Sequence, residues 1–448
     1  MEKRYEIYKD SGVEWFNEIP EHWNMVKFRY KFETTKGLTI TKSDLQDKGI
    51  ACVNYGEIHS KYGFEVNPEI HNLKCVSEEY LETNKSSLLS RGDFVFADTS
   101  EDIKGTGNFT HLHSDVQTFA GYHTIIARLI DDSNYRYIAY FFDSIAFRTQ
   151  IQNLVKGVKV YSITNKILKD TILFCPLKGE QTQIANYLDH KTILIDNIIT
   201  QKEQLINKLK EQRQAIINEA VTKGLNPNVS LKNSGIEWLG EIPENWEVAK
   251  LKYVAECNKN TLSDKYDEDF KINYIEIGNV SIDKGIEKTE EYKFSEAPSR
   301  AKRIVKTNDI IISTVRTYLK AITTITEQHN DYIASTGFAV LTALKINSKF
   351  LGLITQSDCF IDDIISKSVG VSYPAINASE IMNISIPIPP KNEQEQIYQD
   401  VENRIKNNYR TIDSIKGSIE KLKEYRQSII SEAVTGKIDV RDWKPKII

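Results

Sequence analysis

Two blocks of sequence occur twice in the 448-residue chain, and the constant spacing between copies restricts its fold more than any other feature. Ser11-Gly-Val-Glu-Trp15 with Glu18-Ile-Pro-Glu-His-Trp23 returns as Ser234-Gly-Ile-Glu-Trp238 with Glu241-Ile-Pro-Glu-Asn-Trp246, 223 residues later. Glu180-Gln181-x-Gln183-Ile184 returns as Glu393-Gln394-x-Gln396-Ile397, and Arg213-Gln214 through Glu219-Ala-Val-Thr222 as Arg426-Gln427 through Glu432-Ala-Val-Thr435, both at an offset of 213. The chain is therefore a tandem duplication. Each copy runs from a Trp-rich opening block, through a divergent region, to a closing block.

The divergent regions, Asn24–Gly179 and Glu247–Asn392, share faint echoes. Gly92-Asp93 before Phe-Val-Phe96 and Asn308-Asp309 before Ile-Ile-Ile312 each read as a turn feeding a strand. Ala120–Ile126 and Ala334–Val340 read as an equivalent pair of strands. Thr171–Pro176 and Ile384–Pro390 read as closing edge strands, since proline is tolerated at an edge and not in a central strand. With helical stretches such as Tyr135–Leu154 between them, each region is expected to be a compact α/β globule.

The closing blocks carry a heptad seam. In the second copy Tyr398, Ile405, Ile412, Ile419, Arg426 and Ala433 fall at one seam position, and Val401, Asn408, Ile415, Leu422 and Ile429 at the other. The first copy matches from Ala185 and Leu188 to Ile216 and Ala220. Asn392 with Glu395 has the spacing of a capping box, and Gly224 and Gly436 are placed to end the helices. Each helix would span about 64 Å at 1.5 Å per residue. Two equal helices closing two equivalent domains suggest an antiparallel pair with a pseudo-twofold axis. Leu194, Ile198, Leu205, Ile217, Ile397 and Ile430 lie outside the seam, so either the globules or partner helices must cover them. Arg213 and Arg426 share one seam position. They are read either as stems packed along the pair with solvated heads, or as a matched ion-pair site for a partner protein.

The length exceeds one ordinary core, and 40% hydrophobic with 27% charged residues supports folded domains. The formal charge of −4 neither indicates nor excludes nucleic acid, because a basic face matters more than the total. No apolar run has membrane-helix length and the amino-terminal stretch has no signal-peptide core, so a cytoplasmic protein without membrane contact is expected. Five cysteines lie far apart with no C-x-x-C pair. The chain lacks a phosphate-cradling G-x-x-x-x-G-K-[ST] loop, an H-E-x-x-H helix, a G-x-S-x-G elbow and the Asp/Asn-Pro-Pro-aromatic tetrad of adenine methylation. His111-Leu-His113 has no third ligand at useful spacing, so no metal is expected. The pattern is that of a recognition protein and not a catalyst. Basic residues cluster in Asp143–Asp170 and Ser299–Lys320, with a tyrosine near each after a Gly-Val pair. The candidate DNA contacts are Arg148, Lys156, Lys159, Tyr161, Arg303, Arg316, Lys320 and Tyr373.

The paired [S]-G-[V/I]-E-W-x-x-E-I-P-E-x-W blocks and the paired E-Q-x-x-I…R-Q…E-A-V-T helices resemble the specificity subunit of type I restriction–modification enzymes, over nearly the whole chain. The resemblance implies two tandemly repeated α/β target recognition domains in a mixed α/β chain, each reading one half of a split double-stranded DNA sequence. They are separated by two long antiparallel coiled-coil helices that set the spacing. It implies recognition domains at 1–179 and 224–391, spacer helices at 180–223 and 392–436, and a tail at 437–448. It also implies docking of two methyltransferase subunits, with Leu194, Ile198, Leu205, Arg213, Ile217, Arg426 and Ile430 as candidate contacts. Those subunits would carry S-adenosylmethionine, and added restriction/translocase subunits would use ATP and Mg; this chain would bind no cofactor itself. One departure is Val434-Thr-Gly-Lys where the first copy has Val221-Thr-Lys-Gly. The competing class is a DNA-independent coiled-coil scaffold.

Overall fold

Two helices much longer than any other element run through Lys178–Lys223 and Lys391–Val434 of the computed structural model, which describes residues 3–13, 16–157, 160–263 and 266–445. The chain divides into two units. The first comprises Met1–Lys202 with Gly417–Ile448, and the second Glu203–Lys416. Both divisions fall inside a long helix, so each unit contains one globule, the first part of one helix and the last part of the other.

In the first unit a five-stranded sheet has the order Phe32–Lys36, Thr124–Leu129, Phe94–Ala97, Phe109–Leu112, Phe64–Val66. A four-stranded sheet has the order Lys74–Val76, Ile50–Val53, Thr118–Ala120, Leu88–Leu89. The run after Asp93 is wholly buried, as a central strand requires. The second unit holds two four-stranded sheets, one centred on Phe338–Ala343 and Ile310–Ser313, the other on Lys271–Ile275 and Ile333–Ser335. The cores differ in filling. Phe28, Phe94, Phe96, Phe109 and Phe142 crowd together in the first unit, whereas Ile310, Ile312, Leu341, Leu351 and Ile386 do so in the second.

Three sequence expectations change. Ala120–Ile126 is not one strand, because the chain leaves one sheet at Ala120 and joins the other at Thr124. A Cβ on Gly121 would stand 1.9 Å from Asn54 Oδ1, so the backbone presses on a distant residue at the break. Ala334–Val340 divides likewise, and a Cβ on Gly337 would stand 2.4 Å from Ile277 Cδ1. Tyr135–Leu154 is two helices, Tyr135–Asp143 and Ile145–Leu154, because the Ser144 hydroxyl accepts from Phe147 N and starts a new one. The Asn392–Glu395 capping box does not form. The helix already begins at Lys391, the Pro390 carbonyl accepts from Glu393 and Gln394, and Glu395 takes the Asn347 side-chain amide at 2.7 Å. The closing edge strands are present as Ile172–Cys175 on Asn24–Lys27 and Ser385–Ile388 on Glu247–Lys250.

The repeated residues meet where globule and helix join, and they make matching bonds in each unit. Gln181 Oε1 accepts from Asn134 N at 2.8 Å while its amide donates to the Pro176 carbonyl at 2.9 Å. Gln394 does the same with Asn347 N and the Pro389 carbonyl, at 2.8 Å each. Asn134 and Asn347 are themselves N-caps, so one buried amide ties a helix start to the edge strand's end. Gln427 donates to the Asp143 carbonyl at 2.7 Å and Gln214 to the Gln356 carbonyl at 2.9 Å, each satisfying a helix C-terminus in its own globule. Gly436 and Gly224, at φ +73° and +74°, end the long helices against Trp23 and Trp246, both fully buried. Gln394→Ala leaves a buried N–H and a buried carbonyl without partners, so it is expected to cost about 2–4 kcal/mol. Chemical denaturation would show this as a lower midpoint for the second unit, and an unchanged midpoint would contradict the clamp.

Candidate nucleic-acid interface

In the second unit the strand Ile310–Ser313 runs out into a loop that two left-handed residues bracket. Arg316 (φ +49°) and Lys320 (φ +51°) flank the turn Thr317–Leu319. Side chains other than glycine, asparagine and aspartate rarely hold this conformation, and where they do the surroundings enforce it. Here Arg316 N donates to the Pro374 carbonyl at 2.7 Å, and Thr317 Oγ1 meets Ser368 Oγ at 2.8 Å. Thr314 N donates to Gly337 O, and Ile376 N donates to Thr314 O. The loops 314–321 and 368–376 thus form one rigid tip.

On that tip the Arg316 guanidinium lies 4.7 Å from the centre of the Tyr373 ring, and Tyr373 is 66% exposed. Arg316 makes no ion pair or side-chain hydrogen bond among the described residues, so its five donors are available while the ring fixes its plane. Lys320 Nζ is 3.6 Å from Asp358. The tip also carries residues that basic clustering does not mark. Tyr318, Leu319, Val369 and Val371 are exposed apolar side chains on the same loops, of the kind that contact a thymine methyl. For Val369 and Val371 the only sequence signal is their place beside Gly370, and the exposure of all four depends on the fold.

The remaining candidates are not gathered there. Arg303 lies in the strand Ala301–Ile304, half-buried, with Nε buried and without a partner among the described residues. Arg148 is committed within its own globule, to Asn108 Oδ1 at 2.6 Å and Asp143 at 3.2 Å. Lys156 is exposed, and Lys159 lies outside the described residues. Tyr161 and Tyr373 do not occupy equivalent places. Ile163 N donates to Asp98 O as Ile376 N donates to Thr314 O, so Tyr161 takes the register of Pro374. There it pairs with Ser100 and packs on the core instead of standing at the tip.

The expected partner contacts also divide. Leu194 and Ile198 in the first unit and Leu205 in the second are exposed. Ile217 and Ile430 are fully buried in the cores of their own units and offer no surface. Neither arginine matches either reading offered for it. Arg213 is 4% exposed, bonds Asp283 at 2.9 Å and the Ile282 carbonyl, and stacks 5.2 Å over Tyr409. Burial opposes charge on Asp283, but Lys210 and Arg213 outweigh it and hold the carboxyl below its ordinary range. Arg426 bonds Asp196 at 3.1 Å and Asp143 at 3.5 Å. Both arginines are internal ties between a helix and the rest of its unit.

Glu65, His111 and His113 offer donor atoms within 4.8 Å of one another. The Arg136 guanidinium occupies that cluster. It bonds Glu65 and reaches His111 Nε2 at 3.2 Å, while Asp189 holds its other edge at 2.8 Å. Burial first, and then the Arg136 charge, push His111 down to about 3, so the ring is neutral. The cluster is a filled ion-pair network. Among the described residues no helix is long and apolar enough to cross a membrane.

Residues 243–424 match the family model of the type I restriction modification DNA specificity domain. The type I restriction enzyme MjaVIII specificity subunit of Methanocaldococcus jannaschii is 25% identical over 312 residues, which is 68% of this chain and 71% of that protein. The StySPI specificity subunit of Salmonella potsdam is 23% identical over 443 residues, 95% and 91% respectively. A solved chain from "Structural basis underlying complex assembly and conformational transition of the type I R-M system" shares the fold. It covers 94% of this chain and 99% of its own, with a TM-score of 0.67 at 14% identity. The duplicated blocks, the matched domain and relatives that extend along the chain make it similar to type I restriction enzyme specificity subunits over most of its length.

Proposed function

We propose that the chain is the non-catalytic DNA-recognition subunit of a type I restriction–modification complex, and that each globule reads one half of a bipartite target. The observation that carries this reading is the loop tip. In both units it rests on the same backbone bonds (Asp98 N to His123 O, Thr314 N to Gly337 O), yet the side chains it presents differ. A common scaffold with divergent tips is what reading two different half-sites requires. A DNA-independent scaffold gives no reason for it.

The recognition domains would occupy 1–179 and 224–391, with spacer helices at 180–223 and 392–436 and a tail at 437–448. Two contacts support an antiparallel pairing of the helices. In the second unit Arg213 stacks on Tyr409, while a Cβ on Gly224 would lie 3.1 Å from Glu393, so the end of one helix meets the start of the other. In the first unit Arg426 meets Asp196, while Gly436 packs against Trp23, whose Nε1 donates to Glu180. Such a pair would set the unread gap. Leu194, Ile198 and Leu205 would dock two methyltransferase subunits that bring S-adenosylmethionine, and restriction/translocase subunits using ATP and Mg would complete the enzyme.

Binding of duplex DNA by the complex with its methyltransferase subunits, followed across a salt series, tests the reading. Arg316→Ala is expected to weaken target binding by about 1–3 kcal/mol and to relax one position of one half-site. A lost phosphate contact would instead weaken all sequences alike and lower the salt slope by about one. Unchanged affinity and salt slope would remove Arg316 from the interface.

A further inference from the structure

Among the described residues the first unit has no counterpart of the Arg316–Tyr373 stack, and its loop tip carries different chemistry. The backbone bonds that align Asp98 with Thr314 and Ile163 with Ile376 also align His123 with Gly337. His123 is held at φ +56°, a left-handed conformation, with its ring 57% exposed. Its Nδ1 lies 3.2 Å from Asp98 Oδ1, and its ring meets the edges of Tyr55 at 5.3 Å and Tyr122 at 6.0 Å. His123, Tyr122 and Asp98 stand at a cleft of about 500 Å³ that Lys36, Thr39 and Asn165 also line, with Tyr55 packed on Tyr122 at 5.6 Å. Asn165 Oδ1 is buried there with no hydrogen-bond partner among the described residues. The histidine is thus held in a left-handed turn by two tyrosines and a carboxylate, while its Nε2 makes no hydrogen bond among the described residues.

We infer that His123 is the base-reading residue of the first unit and that it reads an exocyclic amine in the major groove, adenine N6 or cytosine N4. This rests on the DNA-recognition reading above. The Asp98 carboxylate can only accept, so the His123 Nδ1–H donates to it, and in the tautomer this selects Nε2 is the acceptor. In the major groove the complements of an acceptor are the amines of adenine and cytosine, whereas guanine and thymine present acceptors at the equivalent places. The two units therefore read with opposite polarity. The Arg316 guanidinium offers donors suited to guanine O6 and N7, and His123 offers an acceptor.

The test is His123→Gly in the full chain assembled with its methyltransferase subunits. Glycine adopts φ +56° freely and is the residue at the matching place of the second unit, so the variant keeps the fold. A thermal unfolding midpoint within a few degrees of the parent's checks this. Duplexes in which single adenines are replaced by purine, or single cytosines by 2-pyrimidinone, remove one amine at a time. The parent is expected to lose roughly 5- to 100-fold in affinity at one such position in one half-site, and His123→Gly to lose that dependence there alone. Arg316→Ala should leave that position untouched. A variant with the parent's amine dependence at every position overturns the inference, and so does one weakened equally on all sequences. A parent complex that shows no sequence preference would instead overturn the DNA-recognition reading itself.

Discussion

Trp23→Ala is expected to cost the first unit about 3–5 kcal/mol, a large share of the roughly 5–15 kcal/mol by which a domain is stable. The indole is fully buried and meets Tyr5 edge-on at 5.9 Å. A Cβ on Gly436 would come within 3.3 Å of it, so the ring packs against the end of a long helix. Its Nε1 donates at 3.1 Å to Glu180, which also receives the Tyr5 hydroxyl at 2.6 Å and meets His22 Nε2 at 2.9 Å. Truncation opens a cavity and removes one of three partners from a buried carboxylate. The second unit supplies an internal control. Trp246 is equally buried, but its Nε1 has no partner among the described residues, and Asn245 donates to the Glu393 carboxylate at 3.3 Å. Trp23→Phe should therefore cost about 1.5–3 kcal/mol more than Trp246→Phe, the worth of a hydrogen bond to a charged group. Denaturant titration of the two variants measures the difference, and equal losses would contradict the assignment of Glu180 as the indole's partner.

The repeated blocks were legible in the sequence because their residues perform tasks that few others can. A side-chain amide must accept from one backbone and donate to another, as Gln181 and Gln394 do, and a residue at φ near +73° between a helix and an indole must be glycine. Seam positions are buried or half-buried along both helices, but so are Ile217, Ile397 and Ile430 outside it, whereas Leu194, Ile198 and Leu205 are exposed. The strand breaks at Gly121 and Gly337 were not legible, since they depend on Asn54 and Ile277 approaching from distant sequence. The capping box failed because the local pattern was right but Pro390 already held the cap position.

The site was legible only in part. Charge clustering found Arg316 and Lys320, which lie on an exposed tip, and equally found Arg148, whose charge is spent on Asp143. It passed over His123, because a single histidine in a left-handed turn leaves no mark in composition or periodicity. The two arginines of the seam show the converse. A matched pair of charges suggested a partner, but Asp283, Asp196 and Asp143 in the same units account for both.

The second large effect concerns specificity. Met25 and Leu173 lie in adjacent strands of one ribbon, where Val26 pairs with Leu173 and Met25 with Phe174. A segment exchanged between these points enters and leaves the unit at one place. An incoming domain that keeps an asparagine N-cap for Gln181 and a helix end for Gln427 should preserve both ties to the long helices. Replacing Met25–Leu173 by the corresponding segment of another family member is then expected to change one half of the recognised sequence entirely. The other half and the gap should remain as they were, because the Arg316 tip and both helices are untouched. The measurement is the map of methylated adenines in DNA from cells that carry the exchanged chain with its methyltransferase subunits, beside the parent. Two independent readers predict one new half-site joined to one parental half-site at the parental spacing. A map in which both halves change together, or neither does, would contradict the account.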